Sequence, residues 1–218
     1  MITNFTNIEE LFKQIDKVLN RKIAICIIGG AVLLYQDLKD ATKDIDIVVR
    51  TKTEFIYLQK ALEHLGFATK IPEKEYIHFN LNQIFIKDNF RIDLFEKEVC
   101  GRFSLSETMI ERGKIIIDLR HVKLALCTNE DVFLFKTMTE REGDIDDCLQ
   151  LLKRGLNWSI IIDELKNQIK QSKQDVWITW VGERLDILES RGLVIPIMNE
   201  FNKLREEYFN EYEKKHSS

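Results

Sequence analysis

The chain's 218 residues, 44% hydrophobic and 31% charged, suffice for one large domain or two small ones with a real core, and exclude a disordered chain. A net charge of −4 and a pI near 5.7 exclude nonspecific nucleic-acid binding over a broadly basic surface, leaving room only for a local basic groove. No apolar run approaches the roughly 18 residues of a membrane span, and the opening MITNFTNIEELFKQ lacks the basic-then-apolar order of a signal peptide, so a soluble cytoplasmic protein without a membrane partner is expected.

Residues 8–19 place Ile8, Leu11, Phe12, Ile15, Val18 and Leu19 at helical spacing, an amphipathic helix expected to cover a sheet. The apolar run over residues 23–28 then reads as a buried strand that breaks at Gly29-Gly30, after which residues 31–38 return to helical spacing. Asp44-Ile45-Asp46 opens a second β-branched run through Ile47, Val48 and Val49. Side chains alternate along a strand, so Asp44 and Asp46 share one face while Ile45, Ile47 and Val49 point into a core. Two carboxylates about 6.6 Å apart repel by about 2.5 kcal/mol at an effective dielectric of about 20, a cost that a divalent cation relieves.

Residues 54–65 repeat the helical stripe through Phe55, Leu58, Ala61, Leu62 and Leu65, with Gly66 placed to close the helix. From Phe67 the period changes to two, and residues 76–81, 83–87 and 90–95 read as an antiparallel meander joined around Asn82 and around Asp88-Asn89. In its last strand Phe90, Ile92 and Leu94 face the core, which puts Asp93 on the opposite face with Arg91 and Phe95. Residues 115–127 are further strand-like material whose alternation is blurred by two apolar runs. From Asn129 the pattern is helical, over residues 131–139, 145–153, 158–170, 176–188 and 195–212, with Thr128 placed to cap the first segment and Gly155 to close the second. The expected organisation is an α+β core over residues 1–127 followed by an all-helical C-terminal domain over residues 128–218.

Several features are read as structure. Trp177 with Trp180, and Tyr208 with Tyr212, form aromatic stripes of the kind that pack between helices. Cys26, Cys100, Cys127 and Cys148 form no Cys-x-x-Cys and are expected to be reduced and mostly buried. His64, His78, His121 and His216 show no metal-ligand spacing.

A Gly-Gly after a strand is often only a turn, and an Asp-x-Asp at a strand start is often a solvated strand end. In this order, with this spacer and a third aspartate in an alternating strand, Gly29-Gly30, Asp44-x-Asp46 and Asp93 resemble the signature of the nucleotidyltransferase superfamily, the polymerase-β-like fold. The resemblance implies a mixed sheet with flanking helices, Gly29 and Gly30 against a bound NTP such as ATP, and Asp44, Asp46 and Asp93 on two Mg²⁺ ions. It implies transfer of a nucleoside monophosphate to an acceptor hydroxyl with release of pyrophosphate. Lys136, set among Val132, Phe133, Phe135 and Met138, resembles the lysine that follows the sheet in nucleotidyltransferase-like families related to abortive-infection toxins. There the pattern continues through an arginine to Asp-x-x-Asp, matched here by Arg141, Asp144 and Asp147, with Gly143 where the family often has a basic residue. This implies that Lys136 holds the β- and γ-phosphates; a plainer reading has Asp144 and Asp147 charging a helix N-terminus and pairing with Arg141.

The acceptor stays open between a small molecule, as for antibiotic-modifying nucleotidyltransferases, and tRNA ends, as for toxin-like relatives. The alternative from another class is a catalytically silent nucleotide-binding or protein-interaction module of the same fold, with an antitoxin-type protein partner.

Overall fold

Helix α1 (Phe5–Val18) forms where apolar residues recur at helical spacing, and it buries Phe5, Ile8, Leu11, Phe12 and Ile15. Asn4 caps it, its side chain accepting a hydrogen bond from the Thr6 N–H at 2.9 Å. The computed structural model that shows this describes residues 1–72 and 80–216. The chain divides into two compact units, Met1–Thr128 and Asn129–Ser218.

The first unit continues with β1 (Ile23–Ile28), α2 (Gly30–Tyr35), β2 (Ile45–Val49), α3 (Lys52–His64), β3 (Ala68–Lys70), β4 (Gln83–Lys87) and β5 (Phe90–Glu96). The short pair β6 (Glu98–Cys100) and β7 (Phe103–Ser104) follows, then α4 (Glu107–Arg112), β8 (Lys114–Asp118) and β9 (Val122–Leu126). Seven of the described strands make one mixed sheet in the order β3-β4-β5-β2-β1-β9-β8. β2 pairs antiparallel with β1 and parallel with β5, and β1 pairs parallel with β9. The central strands are buried on both faces, which is why β1 reads in sequence as a continuous apolar run. A capping box of Thr51 and Glu54 starts α3, and Glu54 also accepts the Ala24 N–H of β1 at 3.1 Å. Asp16 of α1 accepts the backbone N–H groups of His121 and Val122 at 2.6 and 2.9 Å, tying the helix to the start of β9.

Of the expected meander, β4 and β5 form as an antiparallel pair, while the segment 76–81 falls mostly outside the described residues. Residues 115–127 separate into β8 and β9, with a bulge between Ile115 and Ile117 that disturbs the alternation. Three features gave no periodic signal: β3, exposed along its length, the β6–β7 pair, and α4, six residues capped by Ser106. Elements this short hold fewer than two full periods of their pattern.

The described part of the second unit is helical: α5 (Asn129–Thr137), α6 (Glu142–Arg154), α7 (Trp158–Ser172), α8 (Trp177–Ser190) and α9 (Met198–His216). Phe133, Leu165, Trp177, Val181, Leu185 and Phe201 are fully buried. The two tryptophans of the expected stripe part company, since Trp180 is 43% exposed. Tyr208 and Tyr212 contact each other along α9, and Tyr212 stacks on His216 at 4.1 Å. All four cysteines are buried thiols. No described helix is long and apolar enough to cross a membrane.

Candidate functional site

The end of β1 sets the geometry. Ile28 pairs with Asp46 across β1 and β2, so the turn that follows passes directly over the Asp46 side chain. Gly29 has φ +68°, which an L-residue with a side chain rarely adopts, and a Cβ there would fall on the Asp46 carboxylate, 3.1 Å from its Cγ. Gly30 meets a different neighbour. A Cβ at Gly30 would lie 2.7 Å from Thr42 Oγ1 and 3.7 Å from Lys39 Nζ. Thr42 is buried, exchanges backbone hydrogen bonds of 2.8 and 2.9 Å with Ile2, and donates its hydroxyl to the Asp44 carbonyl at 3.0 Å. It thereby fixes the backbone of Asp44 just ahead of β2.

Asp46 and Asp93 are register partners on the parallel strands β2 and β5. Their side chains therefore stand on one sheet face in rows about 4.8 Å apart, while Asp44 immediately precedes β2. Asp93 is buried, whereas Asp44 and Asp46 are half-buried. Arg91, two residues before Asp93, grips it with a fork, Nε to Oδ1 at 2.7 Å and Nη2 to Oδ2 at 2.8 Å. The guanidinium offsets the repulsion of about 3 kcal/mol expected between two carboxylates at that spacing in an effective dielectric of about 20. Among the described residues no group of three or more His, Cys, Asp or Glu is gathered closely enough to hold a metal ion. The fold brings Asp46 and Asp93 side by side on paired strands. The donors nonetheless suit a hard divalent cation, being carboxylate oxygens alone, with Asp46 facing a glycine that a side chain would displace.

Lys136, Arg141, Asp144 and Asp147 come together within the second unit. Lys136 is 7% exposed, and its ammonium contacts Asp144 Oδ1 and Asp147 Oδ2, each at 2.7 Å. Asp144 Oδ2 also accepts from Arg141 Nε at 2.9 Å and from the Thr139 hydroxyl at 2.5 Å. Asp144 and Asp147 are three apart on α6, hence on one face, and both turn toward the lysine near the end of α5. Burial alone would lower the Lys136 pKa, but the two carboxylates outweigh it and hold the ammonium above the usual lysine range. For Asp144 burial pulls upward, and Lys136 and Arg141 outweigh it to hold the carboxyl below the usual carboxylate range. Burial pushes the neighbouring Cys148 thiol up to about 12, so it stays protonated and inert. An ammonium already shared by two carboxylates offers a phosphate little net positive charge.

A cavity of about 450 Å³ in the first unit is lined by Ile2, Leu11, Phe67, Lys87 and Phe90, but by none of the three aspartates. Motif reading passes over Lys39 and Thr42, which lie in the irregular loop between α2 and β2, where no periodicity flags them. Alternation does place Arg91 beside Asp93, though not the fork between them.

A glycine turn that meets an Asp-x-Asp strand, with a further aspartate on the adjacent parallel strand of a mixed sheet, defines a nucleotidyltransferase of the polymerase-β-like fold. The chain belongs to the family described as "Nucleotidyltransferase of unknown function (DUF6036)", whose family model matches residues 3–187. Among solved structures it is similar to ANT(2")-Ia in complex with adenylyl-2"-tobramycin, at 13% identity and a TM-score of 0.50, covering 77% of this chain and 98% of that one. At that identity the likeness is one of fold. No curated protein matches the chain in sequence.

Proposed function

We propose that the protein moves a nucleoside monophosphate from an NTP to an acceptor hydroxyl with Mg²⁺ and release of pyrophosphate, and that the acceptor is a small molecule. The carrying observation is the passage of Gly29 over Asp46, beside Asp93. A backbone that needs glycine to clear a carboxylate, next to a second carboxylate, fits a phosphate-bound cation and has no purpose in a neutral core.

In this reading Asp44, Asp46 and Asp93 hold two Mg²⁺ ions, which when bound lower the pKa of the acceptor hydroxyl and neutralise charge on the triphosphate. Asp93 accepts the hydroxyl proton. Gly29 and Gly30 let the backbone reach the phosphates, and Thr42 holds Asp44 in place through its carbonyl. Lys136, Arg141, Asp144 and Asp147 form a closed ion network, to which we assign the fixing of α5 against α6.

A small-molecule acceptor is supported by the ligand of the fold neighbour, which joins an adenylyl group to tobramycin. A net charge of −4 also disfavours a long polyanion such as tRNA. One observation favours the silent module instead, because Arg91 engages both Asp93 oxygens. The deciding experiment incubates the purified protein with each labelled NTP and Mg²⁺, first with a small-molecule pool that includes aminoglycosides and then with total tRNA. Label in a small product supports the proposal, and label in RNA transfers the acceptor to tRNA. NTP binding without transfer to either would leave the silent module.

A further inference from the structure

We propose that Cys26 and Cys127 form a redox-sensitive dithiol, which hydrogen peroxide converts to a disulfide that ties the end of β1 to β9 and weakens nucleotide binding at the Gly29 turn. The effect on the turn rests on the nucleotidyltransferase reading above, whereas the cross-link does not. The two cysteines are 101 residues apart in sequence, and the parallel pairing of β1 with β9 brings them together. Cys26 has Ala125 as its register partner. Cys127, two residues beyond Ala125, carries the ladder one residue past β9, its N–H donating to the Ile27 carbonyl at 3.0 Å. Residues two apart share a sheet face, so both thiols stand on one face, and their sulfurs meet at 3.3 Å. A disulfide bond is about 2.05 Å long, so the sulfurs need to close by about 1.3 Å.

The chemistry takes two displacements. One sulfur, as its thiolate, attacks a peroxide oxygen; the O–O bond breaks, a sulfenic acid forms, and the departing hydroxide takes up the thiol's proton as water. The second sulfur attacks the sulfenic sulfur; the S–S bond forms, the S–O bond breaks, and the hydroxyl leaves with the second thiol's proton as another water. Two thiols thus lose two electrons and two protons to one peroxide. Burial slows the first step, since Cys26 is 6% exposed and Cys127 2%, but it favours the cross-link over further oxidation. The sulfenic acid meets its neighbour at contact distance, whereas a second peroxide must enter from solvent. The bond acts on the nucleotide site through β1. Ile28, two residues after Cys26, is the register partner of Asp46, so the dithiol stands on the sheet face of Asp46 and Asp93. β1 lies between β2 and β9, and drawing Cys26 toward β9 moves the strand end away from β2. The turn that follows has no slack, because a Cβ on Gly29 would lie 3.1 Å from Asp46 Cγ.

The test exposes the folded full chain to hydrogen peroxide over hours, alkylates the remaining thiols, digests the protein and reads disulfide-linked peptides by mass spectrometry. The proteins compared are the parent, Cys26→Ala, Cys127→Ala and a control, Cys148→Ala, which removes a thiol from α6 of the second unit. A link between Cys26 and Cys127, reversed by dithiothreitol, should form in the parent and in Cys148→Ala and be missing from the other two. Calorimetric titration should show Mg²⁺–NTP binding weakened by about threefold or more in the oxidised parent, restored on reduction, and changed by less than about twofold by peroxide in Cys26→Ala and Cys127→Ala. The parent's own cycle of oxidation and reduction carries the result, so an unstable variant does not obscure it. A link that forms only after unfolding in urea would overturn the proposal, and so would oxidation of either thiol to the sulfinic acid without a link. A link that leaves Mg²⁺–NTP affinity unchanged would overturn the switch. A reduced parent that binds no NTP would instead overturn the nucleotidyltransferase reading, with the linked peptides still deciding the dithiol.

Discussion

Gly29 and Gly30 look interchangeable as a turn, yet their neighbours differ and so do the consequences of giving either a side chain. Gly29→Ala must strain a positive φ and displace the Asp46 carboxylate. We expect Mg²⁺–NTP affinity to fall by about tenfold or more, near 1.4 kcal/mol, with a stability cost of about 1–3 kcal/mol. Titration alongside urea denaturation checks this, and an unchanged affinity in a folded variant would make the turn purely structural. Gly30→Val instead drives into the buried Thr42 hydroxyl, so its effect reaches Asp44 through the carbonyl that Thr42 holds. Asp93→Asn separates binding from chemistry. It keeps the shape and removes the proton acceptor, so NTP affinity should drop by less than about tenfold while the single-turnover transfer rate drops by on the order of a hundredfold. Transfer at the parental rate would remove Asp93 from the mechanism.

At the level of elements, the α5–α6 pair depends on a charge network with a pH signature. Asp144 has a folded pKa below its unfolded value near 3.8, so the stability it contributes is full above that value and lost as pH falls through the folded one. Lys136 has a folded pKa raised above 10.5, so its contribution is full below that value and lost only as pH climbs through the raised one. The network is therefore intact across neutral pH. Lys136→Met removes the ammonium shared by two buried carboxylates and should cost about 3–5 kcal/mol near pH 7. The deficit should narrow as pH is lowered into the carboxylate range, where Asp144 takes up its proton. Urea midpoints at neutral and acid pH read this directly, and a deficit independent of pH would point to lost apolar contacts instead.

For the whole molecule, ligand linkage gives the most direct readout. If Mg²⁺–NTP binds the folded chain alone, nucleotide at a hundred times its Kd should stabilise it by about 2.7 kcal/mol, which for a chain of this size raises Tm by roughly 5–10 °C. Chelating the metal should abolish the shift, and so should replacing both Asp44 and Asp46 by Asn. A shift that survives either treatment would place nucleotide binding elsewhere.

Periodicity carried the long elements. α1, α3, β1, β2, β5 and the helices of the second unit were legible in sequence because each repeats its apolar pattern over several turns or pleats. Alternation also put Asp46 at the head of one strand and Asp93 within another, opposite Ile92 and Leu94, because a strand's period depends on backbone geometry alone. What lay beyond the sequence was everything set by pairing between distant segments. The parallel register that stands Asp93 beside Asp46, the passage of Gly29 over that carboxylate, and the brace from Ile2 through Thr42 to Asp44 each join residues from separate elements. The same holds for charge: a lysine followed by Arg141 and two aspartates reads equally well as a phosphate clamp or an internal salt bridge. Only the folded α5–α6 pair decides that the Lys136 ammonium lies buried between Asp144 and Asp147, because burial and the direction of a side chain are tertiary quantities with no one-dimensional signature.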